Sequence, residues 1–150
     1  MSAIVTATSA VVTALNTWTA GQTYSAIGTW TAVRSYEVEY ELKDMQVGKV
    51  KVDVVAGTTA QFPYRGNNTE EDYQVSIGIH VKVADSSTTT IDPYMDFVEK
   101  MSDFLREHKT FGSAKWLRCE YTVLYSPTGL KEARIFKAIL VATLKGMRTQ

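Results

Sequence analysis

Thr31–Gly57 reads TAVRSYEVEYELKDMQVGKVKVDVVAG, and its alternation decides the fold. Tyr36, Val38, Tyr40 and Leu42 alternate with Glu37, Glu39 and Glu41, the period of two that marks a half-buried strand. After a short polar break, Val50, Val52 and Val54 alternate with Lys49, Lys51 and Asp53. If the two runs pair as a hairpin with even numbers facing even, the valines oppose the tyrosines. Lys49 and Lys51 then oppose Glu41 and Glu39. Facing opposite charges contribute roughly 0.2–1 kcal/mol per pair, whereas three glutamates alone on one face would repel. A second strand-rich segment, Leu124–Gly146 (LYSPTGLKEARIFKAILVATLKG), again joins its runs through a charged break. Neither segment holds a group suited to covalent or acid–base chemistry.

Outward from this pair the pattern is that of one α+β domain over residues 1–150. A chain of this length can bury about 70 % of the surface its unfolded form exposes, so it needs no disulfide or metal to fold. Residues 3–16 place Ile4, Val11, Val12 and Leu15 on one helical stripe. Residues 1–32 thus form an N-terminal helix and an uncharged loop carrying Trp18, Tyr24 and Trp30. Those tryptophans either cover the sheet or meet a neighbouring subunit.

Gly57–Asp72 (GTTAQFPYRGNNTEED) is the longest stretch without element-forming periodicity, broken by Pro63 and Gly66. Between two strands it projects as an arm, whose polar ends predict ordering by another chain. Phe62, Tyr64 and Arg65 at its centre are residue types enriched at interfaces; a solvated loop is the alternative. Tyr73, Val75, Ile77, Ile79, Val81 and Val83 form the clearest strand. A second helix is predicted from Asp92 as cap and Pro93 as first residue to about His108, with Gly112 as a stop. Its apolar stripe is Tyr94, Phe97, Val98, Met101, Phe104 and Leu105. Leu117, Cys119, Tyr121, Val123 and Tyr125 then alternate as a strand facing inward. Ala133–Leu144 is apolar on both sides, and its β-branched residues favour a covered strand. The predicted order is α-β-β-β-α-β-β, a mostly antiparallel sheet with two packed helices.

Net charge is zero, yet it is unevenly placed. Residues 34–114 hold nine Lys/Arg against fourteen Asp/Glu, and residues 115–150 hold seven against two. Opposite flanks of this kind give complementary potentials between like subunits, and the balance lacks the basic excess of a nucleic-acid binder. No run of about 18 apolar residues is present to span a membrane. The lone Cys119 reads as a small core residue. His80, His108 and Cys119 are too separated for a zinc site, and phosphate-loop, nucleophile-elbow and H-E-x-x-H patterns are absent. Asp96, Glu99 and Asp103 have the spacing of a solvated helix face. No catalytic, metal or cofactor-binding residue is expected.

The ordered set TAVRSYEVEYELKDM, VGKVKVDVV, EDYQVSIGIHVKV, a helix, and LYSPTGLKEARIF with its apolar strand is similar to the tail terminator (tail completion) proteins of tailed bacteriophages. The similarity spans roughly residues 31–148; the long uncharged stretch before Arg34 departs from the family's usual pattern. The resemblance implies a structural virion protein, assembled in the host bacterial cytoplasm, that closes into a homohexameric ring. Its implied partners are the tail tube protein and the neck or head–tail connector protein, with DNA only passing through the channel. Contact with them falls on Phe62, Tyr64, Arg65, Trp18 and Trp30. Glu37, Glu39 and Glu41 form either a lumen face or an outward solvated face. The rival readings are another tail or neck component such as the tube subunit, and a small α+β enzyme or ligand-binding module.

Overall fold

A computed structural model describes residues 2–21, 30–36, 47–66, 68–84, 87–123 and 135–149. The elements are α1 (Ala3–Gly21), β1 (Ala32–Ser35), β2 (Lys51–Pro63), β3 (Asn68–Lys82), α2 (Thr88–His108), β4 (Thr110–Phe111), β5 (Ala114–Val123) and β6 (Ile135–Thr149). The fold is α+β with the expected order; β4, two residues long, is the one addition. The strands form one sheet in the order β1-β2-β3-β6-β5-β4. Among the described strands the ladders are antiparallel except β1 with β2, and an isolated parallel bridge joins Val47 to Lys82. α1 touches β1, β2 and β3 and also β4 at the far edge, so the sheet curls around it.

Alternation explains which face the helices cover. Tyr73, Val75, Ile77, Ile79 and Val81 of β3 are buried, as are Phe136, Ala138, Leu140, Ala142 and Leu144 of β6. Ile79 lies beside Ala138 and Ile77 beside Leu140, and burial of each large side chain stabilises the fold by roughly 1.5–3 kcal/mol. Val50, Val52 and Val54 join the same core, as does the α2 stripe of Tyr94, Phe97, Val98, Met101 and Leu105.

α1 is rich in threonine, a weak helix former. Its hydroxyls bond back to carbonyls one turn earlier, Thr8 to Ile4 at 2.6 Å and Thr17 to Thr13 at 2.9 Å. Docking therefore holds the helix. Asn16 supplies part of that: its amide nitrogen donates to the Ala32 carbonyl (3.1 Å) and its oxygen accepts from the Ala32 N–H (2.8 Å). One side chain thus satisfies both backbone groups of a residue on the edge strand.

Several expectations are corrected. The proposed pairing of Val52 and Val54 with Val38 and Tyr36 does not occur. β2 gives one edge to β1, with Ala32 beside Val52 and Arg34 beside Val54, and the other to β3. A strand has two edges, and both are taken. Tyr36 is exposed beyond the end of β1, its hydroxyl 3.1 Å from Arg34 Nη1. α1 runs on through Trp18.

α2 begins at Thr88, where the Ser87 hydroxyl accepts from the Thr90 N–H (3.4 Å), and not at Asp92. Pro93 consequently sits in the second turn and leaves the Thr89 carbonyl without its helical donor. The helix stops at Lys109, whose φ of 66° turns the chain. Gly112 belongs to the β4–β5 turn instead. A bulge between Trp116 and Arg118 breaks the β5 alternation. Leu117, the extra residue, is therefore exposed, whereas Trp116 and Cys119 pack against the core and Tyr121, on the same face beside Leu140, stays 45 % exposed.

Candidate partner-binding site on the β2–β3 arm

Gly57–Asp72 is not an element-free loop. Beyond an irregularity between Ala56 and Thr59, β2 continues to pair with β3, from Thr59 beside Tyr73 to Pro63 beside Thr69. Lys145–Thr149 of β6 flanks the other side of β3. The arm is a three-stranded ribbon ordered by its own chain, which corrects the expectation that another chain orders it. Its turn is closed by Tyr64 N–H to the Asn68 carbonyl (3.2 Å) and Asn68 N–H to the Arg65 carbonyl (3.3 Å). Gly66 there has φ of 65°, a conformation that costs glycine nothing in sterics.

The two faces of the arm differ. On the helix side, Glu71 is only 2 % exposed. Its carboxylate accepts from Gln61 Nε2 (3.1 Å) and from the Tyr73 hydroxyl (3.3 Å). The Tyr73 ring lies over Gly146, where a Cβ would come 2.8 Å from Cε2. Residues of β2, β3 and β6 are thereby locked around one buried carboxylate.

On the opposite side, Phe62, Glu70 and Met147 form one row across the three strands. Glu70 pairs with Lys145. The hydrogen bond to Glu70, and then the charge of that carboxylate, holds the Lys145 ammonium above its ordinary pKa. The ion pair, with Asp72 beside Lys145 on the same face, is flanked by Phe62, Tyr64 and Met147, which are 47 %, 50 % and 52 % exposed. Arg65 is exposed at the tip. The acidic block of β3 and the basic residues of β6 are neighbours, so part of the charge asymmetry is matched inside the chain.

Trp18 and Trp30 are brought together, but in the core. Trp18 stacks on Phe104 with centroids 4.9 Å apart and meets Trp30 edge-on at 5.7 Å. At 8 % and 6 % exposure both are core residues, the first of the two alternatives, and Trp18 keeps only an edge toward the groove beside it. Glu37, Glu39 and Glu41 lie outside the described residues.

Beside Trp18 is a second surface feature, a largely apolar groove of 470 Å³ between α1, α2 and β4. Ala10, Ala14, Phe104 and Phe111 line it, and Thr13, Thr17 and His108 stand at its mouth.

Lys51, His80 and Lys137 form one row across β2, β3 and β6, on the face of the sheet that also carries the buried Asp53. His80 is buried on β3, on the face opposite Ile79 and Val81, while His108 stacks on Phe111 at the end of α2 (4.8 Å). Burial pushes the Cys119 thiol up, opposed by a hydrogen bond with Ser102. Asp96 and Asp103 face solvent, paired with Lys100 (4.0 Å) and Arg106 (3.3 Å). Among the described residues no cluster of three or more His, Cys, Asp or Glu could hold a metal ion, and no helix is long and apolar enough to cross a membrane.

Sequence reasoning named Phe62, Tyr64 and Arg65, which are exposed at the end of the arm, and did not name Met147, Lys145, Glu71 or Asn16. A signal was available for Glu71: the odd-numbered alternation of β3 extends back from Tyr73 to Glu71 and Thr69. No protein-family model matches the chain, and no curated protein matches its sequence.

Proposed function

We propose that this chain is a structural subunit of a tailed-phage virion that closes into a six-membered ring, caps the tail tube and joins it to the neck. The observation that carries the reading is the arm. It is a three-stranded hydrogen-bonded ribbon whose exposed end presents Phe62, Tyr64, Arg65 and Met147. Exposed aromatic and Met side chains on such a support suit a protein–protein contact. The order of segments that resembles the tail terminators supplies the rest. The mechanism is geometric: a closed ring binds the last ring of the tube, ends polymerisation and offers a different face to the neck. In this reading Glu37, Glu39 and Glu41 belong either to the channel wall, where acidic side chains would release DNA that basic ones hold by its phosphates, or to an outward solvated face.

Negative-stain and cryo-electron microscopy of the chain mixed with its tube test the reading. One closed ring of six at the tube end is the expected result. Long stacks of rings would make it a tube subunit, and a monomer retaining a small molecule in native mass spectrometry would make it a ligand-binding module. Phe62→Ser with Tyr64→Ser should leave the melting curve within about 0.5 kcal/mol of the parent, as exposed substitutions do, and prevent joining to the tube.

A further inference from the structure

We infer that the open edge of β2 in the arm, Thr59–Pro63, pairs with the same edge of a second copy, antiparallel and about a two-fold axis at Ala60. The contact belongs to the free chain and does not rest on the tail reading.

The edge is open. β1 covers only Val52–Val55 on that side of β2, and beyond it Gly57, Thr58 and Ala60–Pro63 are exposed. Residues 37–46 follow the end of β1 and rejoin the sheet at Val47, which is bridged to Lys82. Asp72, the partner of Ala60, is ten positions from Lys82 along β3, about 33 Å of strand. Ten residues reach about 33–36 Å at full extension, so they cannot run out to Ala60 and also return. A row of N–H and C=O groups along an edge is a template for another strand, and proteins block such edges with charges, proline or very short strands. The other outer strands carry these devices: Arg34 on β1, Arg118 and Glu120 on β5, Arg148 on β6, and a β4 of two residues. Gly57–Pro63 has no charged side chain, and Pro63 stands only at its end.

The edge fits its own copy. Tyr64 N–H bonds across the hairpin to the Asn68 carbonyl. Even-numbered residues of this segment therefore turn their backbone groups toward β3, and Thr59 and Gln61 turn theirs outward. In an antiparallel pair centred on Ala60, Thr59 of each copy exchanges both hydrogen bonds with Gln61 of the other. A pair centred on Gln61 would set Thr59 against Pro63, which has no N–H, and lose a donor on each side. With Ala60 opposite Ala60 the two outer faces lie on one side and no like charges meet, whereas a charged strand would find no counter-charge on this edge. Because the surface is self-complementary, the contact closes at two copies. It occupies the edge beside Phe62, so a subunit held this way cannot present that edge to another partner at the same time.

Disulfide trapping in the full-length chain tests this, in a Cys119→Ser background. Opposed residues that share no backbone bonds lie about 4.5 Å apart at Cα, within disulfide range. Ala60→Cys should therefore give a single dimer band under mild oxidation. Met147→Cys, exposed on the same face two strands away, should give background only. Sedimentation of the parent chain should show a monomer–dimer equilibrium. Ala60→Lys should shift it to monomer with an unchanged melting curve, and so should Ala60→Glu. Mixing those two variants should restore the dimer, because the opposed charges then attract. No band from Ala60→Cys in protein that melts normally, an equal band from Met147→Cys, or a dimer that survives Ala60→Lys overturns the inference. A parent that stays monomeric at every concentration overturns it too, and leaves the edge to a strand of a different protein.

Discussion

β3 and β6 run through two regions that differ in what holds them. In the body, Ile77 and Leu140 lie side by side under the helices, both fully buried. In the arm, the same two strands continue past Tyr73 and Leu144 as a ribbon whose open face carries Phe62, Glu70 and Met147. Apolar burial stabilises the first region; one buried carboxylate with its donors and a surface ion pair help to hold the second. The difference teaches that one strand pair can supply a core and a projection, provided the buried residues change from aliphatic to hydrogen-bonded.

The comparison can be broken at either end. Leu140→Ala should have the largest effect, roughly 2–5 kcal/mol, because a cavity adds to the lost transfer energy. Denaturant unfolding with global loss of amide protection is the readout, and a change confined to β6 would contradict a shared core. Glu71→Ala should come next, at about 1–3 kcal/mol, since it withdraws the acceptor from Gln61 and Tyr73. Hydrogen exchange should show the loss at residues 59–63 and 69–73 while Val75–Val81 stay protected. Equal loss in both places would mean that arm and body unfold as one unit.

Lys145→Gln should have the smallest effect, because an exposed ion pair is screened by solvent and salt. Its pH dependence has a definite sign. Lys145 titrates above its ordinary value in the folded chain. Its contribution is therefore complete below the unfolded lysine pKa and is lost as pH rises through the raised one. An alkaline titration of arm protection at low salt should show the parent above Lys145→Gln at neutral pH, with the difference vanishing as pH rises through that window. A difference at neutral pH that survives high salt would show that the side chain acts by packing instead.

Much of the body was legible because periodicity reports burial. The alternation at Val50–Val54 and Tyr73–Val83 and the α2 stripe each name a buried face, and those faces are buried. Phe62, Tyr64 and Arg65 stood out because they are interface-type residues around the breakers Pro63 and Gly66 in the polar stretch Gly57–Asp72. The arm itself was not. Glu71 occupies a buried inward position and the exposed Gln61 reaches it from the neighbouring strand, and a polar residue that is buried only because partners reach it carries no hydrophobic signal.

The sequence by itself determined the α+β class, the order of elements and the inward face of the principal runs, since side-chain alternation and helical spacing are local properties. Only the tertiary structure decided the neighbours. The two edges of a strand are chemically alike, so alternation could not say that β1 would lie parallel to β2 and displace the expected hairpin. The tryptophans were likewise placed by context: Trp18 joined the core because α1 ran one turn further and met α2, and aromatic rings bury against whichever apolar surface the chain brings within reach.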